Sequence, residues 1–272
     1  MRATQYEKAV RFRALHDGPG AFVIPNPWDV GSARILARLD FQALATSSSA
    51  FASALGRRDH GLTRDEALGH ARQIVEATDL PVSADLGNGF GHSPDVVAET
   101  VRLAAEVGLV GCTIEDATGD PDCPLYDDGL AVERIAAAVQ AARALSFPFM
   151  LTARAHNYGA PSLDDTISRL QVFEKAGADV LFVPGLPDLS SVRSTCAAVS
   201  KPFNFMAGIK GKSFSVGELA EAGVRRISLA SSLYRAAMTG LIEAAHEVKA
   251  TGEFTFLERG VTMAELYKLM RI

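Results

Sequence analysis

Three acidic positions and one arginine are the groups best placed to do chemistry in this 272-residue sequence. Asp85 ends the apolar run "PVSAD" and is followed by Gly87, Gly89 and Gly91. Glu115 and Asp116 end "VGCTIED", and Asp59 closes "TSSSAFASALGRRD", in which Ser47, Ser48 and Ser49 follow Thr46. Arg154, His156 and Asn157 follow "PFMLTA"; Asn204 sits inside "PFNFMA". Clustered carboxylates repel unless a proton or a cation lies between them. Hard oxygen donors favour Mg²⁺ or Mn²⁺, usually with several waters retained. An arginine opposite such an ion can clamp a carboxylate through two parallel N–H donors. Metal and arginine together suit a 2-oxo acid and the enolate made from it. The glycines after Asp85 would let a ligand approach the backbone closely.

These residues need a scaffold that brings strand ends together. Strand-like runs occupy 21–25, 41–46, 81–85, 110–115, 148–153, 179–183, 202–207 and 225–230. Helical runs follow at 29–39, 64–78, 94–107, 131–145, 162–176, 188–199, 214–222 and 231–250. Start signals support several of them, such as "SLDD" at 162–165 and the capping-box spacing "SVGE" at 215–218. Gly108, Gly177 and Gly223 stand where left-handed caps would end helices. An open doubly wound sheet shows the same alternation. Eight units in about 250 residues, with no linker, favour an α/β fold of the (β/α)8 TIM-barrel type, whose chemistry sits at the C-terminal strand ends. The expected organisation is a single domain over 1–272, with the barrel at about 20–250 and a helical tail at 251–272.

Composition narrows the function classes. The net charge is −5 with no basic block, which argues against nucleic acid. The charged start lacks a signal-peptide core, no run is long enough to span a membrane, and three unpatterned cysteines suggest a reducing compartment. A cytoplasmic protein is the expectation. "GIKGKS" lacks the spacing of a phosphate-binding P-loop, and "GNGFG" lacks that of the dinucleotide fingerprint. His16, His70 and His246 fall on helical runs and read as surface residues; His60 and His92 fall in loops near the expected mouth.

The segments "PNPWDVGSARIL", "ATSSSAFASALGRRD", "PVSADLGNGFG", "GCTIEDATG" and "LTARAHN" resemble the isocitrate lyase/phosphoenolpyruvate mutase superfamily, over residues 20 to 245 and closest to its phosphoenolpyruvate mutase-like subgroup. The resemblance implies Mg²⁺ and enolate chemistry that makes or breaks a C–C or P–C bond. It also implies a homo-oligomer, a dimer or tetramer, with a helix exchanged between subunits. Carried over by position, Asp85, Glu115 and Asp59 match the acids around the metal. Arg154 matches the residue that holds the substrate carboxylate, and Ser47 and Ser48 match the loop taking the oxo-acid end. Asn204 is a further substrate-binding candidate.

Two departures bear on the substrate. Ser83 stands where the family's metal motif has its first acid. The loop "TGDPDCPLYD" keeps a cysteine, Cys123, seven residues after Asp116, but Asp120 and Asp122 replace the basic residues of the lyases. Those acids should repel a tricarboxylate, by about 10² to 10³-fold in rate if the site excludes water. Cys123 could act as a neutral thiol, giving a proton to a departing enolate. The reading is a Mg²⁺-dependent lyase, cleaving or decarboxylating a small 2-oxo or 2-hydroxy dicarboxylate. The alternatives are a P–C mutase or hydrolase, and a barrel that binds carboxylates without catalysis.

Overall fold

The computed structural model describes residues 2–156, 162–212 and 214–271. Eight strands form one parallel sheet: β1 (Phe22–Ile24), β2 (Leu44–Ala45), β3 (Val82–Asp85), β4 (Gly111–Glu115), β5 (Met150–Arg154), β6 (Val180–Phe182), β7 (Phe203–Met206) and β8 (Arg226–Ser228). Their order is β1-β8-β7-β6-β5-β4-β3-β2. A hydrogen bond from Ala45 N–H to the Pro25 carbonyl, 3.0–3.1 Å being ordinary for this sheet, bridges the remaining gap at 3.1 Å. The sheet therefore curls into a nearly closed (β/α)8 barrel. Every expected strand is found in its place, most a residue or two shorter.

The helices are α1 (Gln5–Asp17), α2 (Val30–Arg38), α3 (Ser48–Ala54), α4 (Arg64–Ala77), α5 (Pro94–Glu106), α6 (Asp128–Arg143), α7 (Leu163–Lys175), α8 (Leu189–Ala198), α9 (Val216–Glu221), α10 (Ser232–Thr251) and α11 (Met263–Met270). Capped starts are frequent. Thr63, Ser215 and Thr262 each form a reciprocal capping box with a glutamate three residues on, satisfying two N–H groups that the first helical turn would leave unpaired.

Two helices were not anticipated. Helix α1 starts at a Thr4–Glu7 capping box and closes the N-terminal end of the barrel. Its Phe12 is fully buried with Ile24, Ala43, Val110, Met150 and Val180, a small core separate from the larger one between barrel and helices. A Cβ at Gly111 would come within 3.1 Å of the Phe12 ring, so that strand position is filled by the neighbour's side chain. Helix α3 begins at Ser47, whose hydroxyl accepts from the Ala50 N–H at 3.3 Å. The serine run is thus a helix start and not a loop.

His16 and His70 correct the surface assignment: both are buried. His16 Nδ1 lies 2.8 Å from the Phe12 carbonyl, with its ring edge-on to Phe12 and Phe22. His70 stacks on Phe51 at 3.8 Å and holds the Trp28 carbonyl at 3.0 Å. Burial lowers the pKa of His16 to about 3 and that of His70 to about 4, because a charged imidazole is poorly solvated there. His246 is exposed, as expected.

Candidate active site

Asp85 is the last residue of β3, and the chain turns sharply after it. Gly87 and Gly89 have φ of +53° and +80°, in the left-handed region that glycine enters without strain. The turn folds back on the carboxylate: Gly87 N–H donates to Asp85 Oδ1 at 3.2 Å, while the Gly87 carbonyl accepts from Glu115 N–H at 2.9 Å. Arg134, buried on α6, holds the outer part of the loop. Its guanidinium donates to the carbonyls of Asn88, Gly91 and His92 and lies over the Tyr126 ring at 4.0 Å. The glycines let the loop return to its own acid, and the arginine fixes it there.

Three acids meet at this end of the barrel. Ser48 Oγ is 2.9 Å from Asp85 Oδ2 and 3.0 Å from Asp59 Oδ1. A hydroxyl carries one proton and can donate to only one of the two. Burial pushes the Asp85 carboxyl above the usual range, and Glu115 and Asp59 push the same way, against Arg154 and Ser48. Glu115, at the end of β4, is buried too. Its Oε2 accepts from His156 Nε2 at 2.8 Å and pairs with Arg154 Nη1 at 3.2 Å. Burial alone would raise Glu115, but the His156 hydrogen bond and the Arg154 charge outweigh it and hold it below its ordinary value. Glu115 Oε1 and Arg154 Nε are buried without a hydrogen-bond partner.

Among the described residues, no three His, Cys, Asp or Glu side chains close on one point as a ready-made metal cage. The donor set nonetheless fits a hydrated divalent ion. Two carboxylates converge on one hydroxyl, and a buried glutamate oxygen has no partner. Asp85 is the candidate for direct contact, with Asp59 and Glu115 acting partly through water, as Mg²⁺ usually permits.

Two cavities meet at these residues. A mouth cavity of about 810 Å³ is lined by Ser47, Ser48, Asp59, Asp85 and Asn88, among others. An inner cavity of about 50 Å³ lies within the barrel and is lined by Ser47, Asp85, Arg154, Asn204 and Arg226 among others. The structure thus brings together Ser47, Ser48, Asp59, Asp85, Glu115, Arg154 and Asn204. It does not bring Cys123 there in the same way. That thiol is exposed, with Sγ 3.8 Å from the Leu125 carbonyl; Thr118 and Gly119, earlier in its loop, line the mouth. Asp116 is buried beside α7, accepting from Arg169 Nε at 2.5 Å and from His156 N–H at 2.8 Å. Asn157 lies outside the described residues. His60 lines the mouth, and His92 holds the Tyr126 hydroxyl at 2.9 Å.

Sequence reasoning missed one group, Arg226, and the pairing of another, His156. His156 stood in "TARAHN", but its pairing with Glu115 depends on where two strand ends meet. Arg226 opens β8 beside Arg225. Its signal was parity: it is two residues from Ser228, so both point to one face of the strand.

The chain is similar to known proteins in both sequence and overall fold. A Corynebacterium glutamicum protein named "Probable 2-methylisocitrate lyase 2" is 30% identical over 97% of this chain and 89% of its own length. The crystal structure of a candidate lyase/mutase from Burkholderia cenocepacia is 51% identical, with a TM-score of 0.95 over 97% of this chain and 96% of that one. The crystal structure of 2,3-dimethylmalate lyase superimposes with a TM-score of 0.87 at 27% identity, covering 99% and 96% of the two chains. The family described as phosphoenolpyruvate phosphomutase matches residues 12–249, and the chain belongs to that family, within the phosphoenolpyruvate mutase/isocitrate lyase superfamily.

Proposed function

We propose that this protein is a Mg²⁺-dependent (or Mn²⁺-dependent) carbon–carbon lyase acting on a small 2-oxo or 2-hydroxy dicarboxylate through an enolate. The observation that carries the reading is the convergence of Asp85, Asp59 and Glu115 beside Arg154 at the strand ends. When bound, the metal supplies Lewis-acid stabilisation of the negative charge that builds on the enolate. The chain's residues do the rest. Ser47 presents its hydroxyl to the oxo-acid end, and Ser48 lines the same end, where its hydroxyl reaches substrate in exchange for its bond to Asp85 or Asp59. Arg154 and the Asn204 amide take the remaining carboxylate. His156 and Arg154 keep Glu115 ionised, which suits it to hold water and metal and not to donate protons. For a 2-oxo diacid the C–C bond to the distal carboxylate breaks and that group leaves as CO₂, the bond's electron pair forms the enolate, and a proton delivered to the enolate carbon completes the 2-oxo acid product. Cys123 reaches that proton-donor role only if its loop moves inward.

The names of relatives support the class. They include lyases for 2-methylisocitrate and 2,3-dimethylmalate, and an oxaloacetate decarboxylase of Ectopseudomonas mendocina. The family match itself favours one second reading, P–C bond rearrangement of the phosphoenolpyruvate phosphomutase kind. The decisive experiment offers oxaloacetate, dimethylmalate, methylisocitrate, isocitrate and phosphonopyruvate with Mg²⁺. Turnover of the small dicarboxylates supports the lyase; turnover of phosphonopyruvate alone moves the assignment to P–C chemistry. Tight oxalate binding with no turnover indicates a binding barrel.

The assembly belongs to the same proposal. The chain, 1–272, works as one barrel domain in a homo-oligomer, a dimer or tetramer that exchanges a helix, in the cytoplasm. None of the α10 residues is buried, which supports the exchange. Three unpaired cysteines agree with a reducing location. No described helix is long and apolar enough to cross a membrane.

A further inference from the structure

Arg226 crosses the barrel interior beneath the site. It is only 4% exposed. Its Nε donates to Asn204 Oδ1 on β7 at 2.7 Å, and its Nη2 donates to Thr152 Oγ1 on β5 at 3.0 Å. Both partners are neutral. Among the described residues no carboxylate lies within ion-pair distance of it, and burial is the one influence on its protonation, drawing the pKa down to about 9. The guanidinium therefore stays charged at neutral pH. A buried charge without a counter-charge is costly, and barrel interiors are ordinarily packed with branched apolar side chains. Filling space does not explain an arginine here.

Its surroundings supply another explanation. Arg226 lines the same inner cavity as Asp85, Ser47, Arg154 and Asn204. Arginine only donates hydrogen bonds, so the oxygen of the Asn204 amide must face it. The Asn204 NH₂ group is thereby turned the other way, where it donates to Ser228 Oγ at 3.2 Å beside the cavity. Arg154, the other cation there, already faces Glu115 at 3.2 Å, which offsets its charge. Of the two arginines that line the inner cavity, Arg226 is the one with no carboxylate partner among the described residues.

We propose that Arg226 sets the charge selectivity of the site: it is a fixed cation in the floor of the inner cavity, holds the Asn204 amide so that one N–H is anchored on Ser228 and the second is left for a ligand, and favours dianionic over monoanionic ligands. The inference rests on the carboxylate-binding reading above and adds a residue and a selection rule to it. Arg226 is a positioning residue, acting through Asn204 and through its field.

The test uses oxalate and oxamate, which have nearly the same shape but carry two charges and one. Each is titrated calorimetrically into Mn²⁺-loaded wild-type protein, Arg226→Lys and Arg226→Met. In Arg226→Met, oxalate affinity should fall about ten-fold more than oxamate affinity, the scale of one charge acting across a partly screened interior. Arg226→Lys should keep most of the wild-type ratio. Equal losses for both ligands in Arg226→Met would make Arg226 merely structural and overturn the inference. Wild-type protein that binds neither ligand would instead overturn the carboxylate-site reading, and this inference with it. Should Arg226→Met not fold, the Arg226 Nε–H resonance of ¹⁵N-labelled wild-type protein, assigned by its loss in Arg226→Lys, gives the answer. Oxalate should shift it more than oxamate does; no shift with either overturns the proposal.

Discussion

Asp85 is held where its ionised form is disfavoured, and a cation relieves that. Its folded pKa is raised, so the folded state binds this proton more tightly than the unfolded chain does. By linkage the contribution to stability falls as pH rises through the interval between the two values. Above the ordinary carboxylate range, without metal, the buried Asp85 carboxyl is therefore a destabilising group. Asp85→Asn should raise the melting temperature of metal-free protein at pH 7 by several degrees, the scale of about 1 kcal/mol, and should abolish Mn²⁺ binding in calorimetry. Unchanged Mn²⁺ affinity would remove Asp85 from the metal site. Arg154 gives a complementary case. Its side chain is 18% exposed, pairs with Glu115 and lies over the Phe182 ring at 5.0 Å. Arg154→Lys keeps the charge and loses the planar fork. Oxalate affinity should drop by at least ten-fold with little change in melting temperature; a collapse in stability with normal binding would mark Arg154 as an ion-pair residue of the fold.

The elements show which parts of the molecule the sequence makes legible. Parallel strands buried on both faces read as apolar runs, and caps mark most helix starts, so the eight units and the strand-end acids could be placed directly. Helix α1 could not: its buried positions are Lys8, Ala9, Phe12 and His16, two of them polar, so no apolar stripe announces it. The same polarity made His16 and His70 read as surface. Their depressed pKa values have a measurable consequence. The unfolded chain binds these protons near pH 6.5 and the folded protein does not, so the stability they confer is complete above that pH and is lost as pH falls toward 4. The melting temperature should fall steadily from pH 7 to pH 5, and His16→Gln should flatten that slope; an unchanged slope would show that other groups set the acid limit. The loop at 117–126 revises a magnitude. It forms a small hairpin, with Ala117 bridging Leu125 and the Thr118 hydroxyl donating to the Cys123 carbonyl at 2.5 Å. Asp120 and Asp122 are exposed on it. Solvent screens exposed charges, so the penalty against a tricarboxylate is nearer ten-fold than the 10² to 10³-fold expected of a dry site. Asp120→Asn/Asp122→Asn should narrow the preference for oxaloacetate over methylisocitrate in kcat/KM, and more so at low salt. An unaltered ratio would acquit the loop acids.

At the scale of the whole molecule, α10 and the tail present a surface that a lone chain leaves unfinished. Helix α10 has 20 residues, none of them buried. Leu241 and Ile242 are 61% and 53% exposed, and Phe254 and Leu257 just beyond the helix are 57% and 64% exposed. An isolated helix of this length is marginal in water, and most helical stability comes from packing an apolar face. Yet the end of the chain is anchored to its own barrel. Helix α11 packs along α2, where a Cβ at Gly31 would lie 3.5 Å from Met270 Sδ, and Arg38 Nε donates to the Arg271 carbonyl at 3.0 Å. A helix held at both ends but bare along its length is suited to pack onto a second copy of this chain, as an exchanged helix does. Burying Leu241 and Ile242 would each contribute about 1.5–3 kcal/mol. Placing two carboxylates there forfeits that gain and adds a desolvation cost on each subunit, so Leu241→Glu/Ile242→Glu should weaken association by about 10²-fold or more. Light scattering should find wild-type protein as a dimer or tetramer and the double variant as a smaller species, with the barrel's far-ultraviolet circular dichroism retained. A wild-type monomer at micromolar concentration would exclude the exchanged helix. A double variant of unchanged mass would move the interface elsewhere.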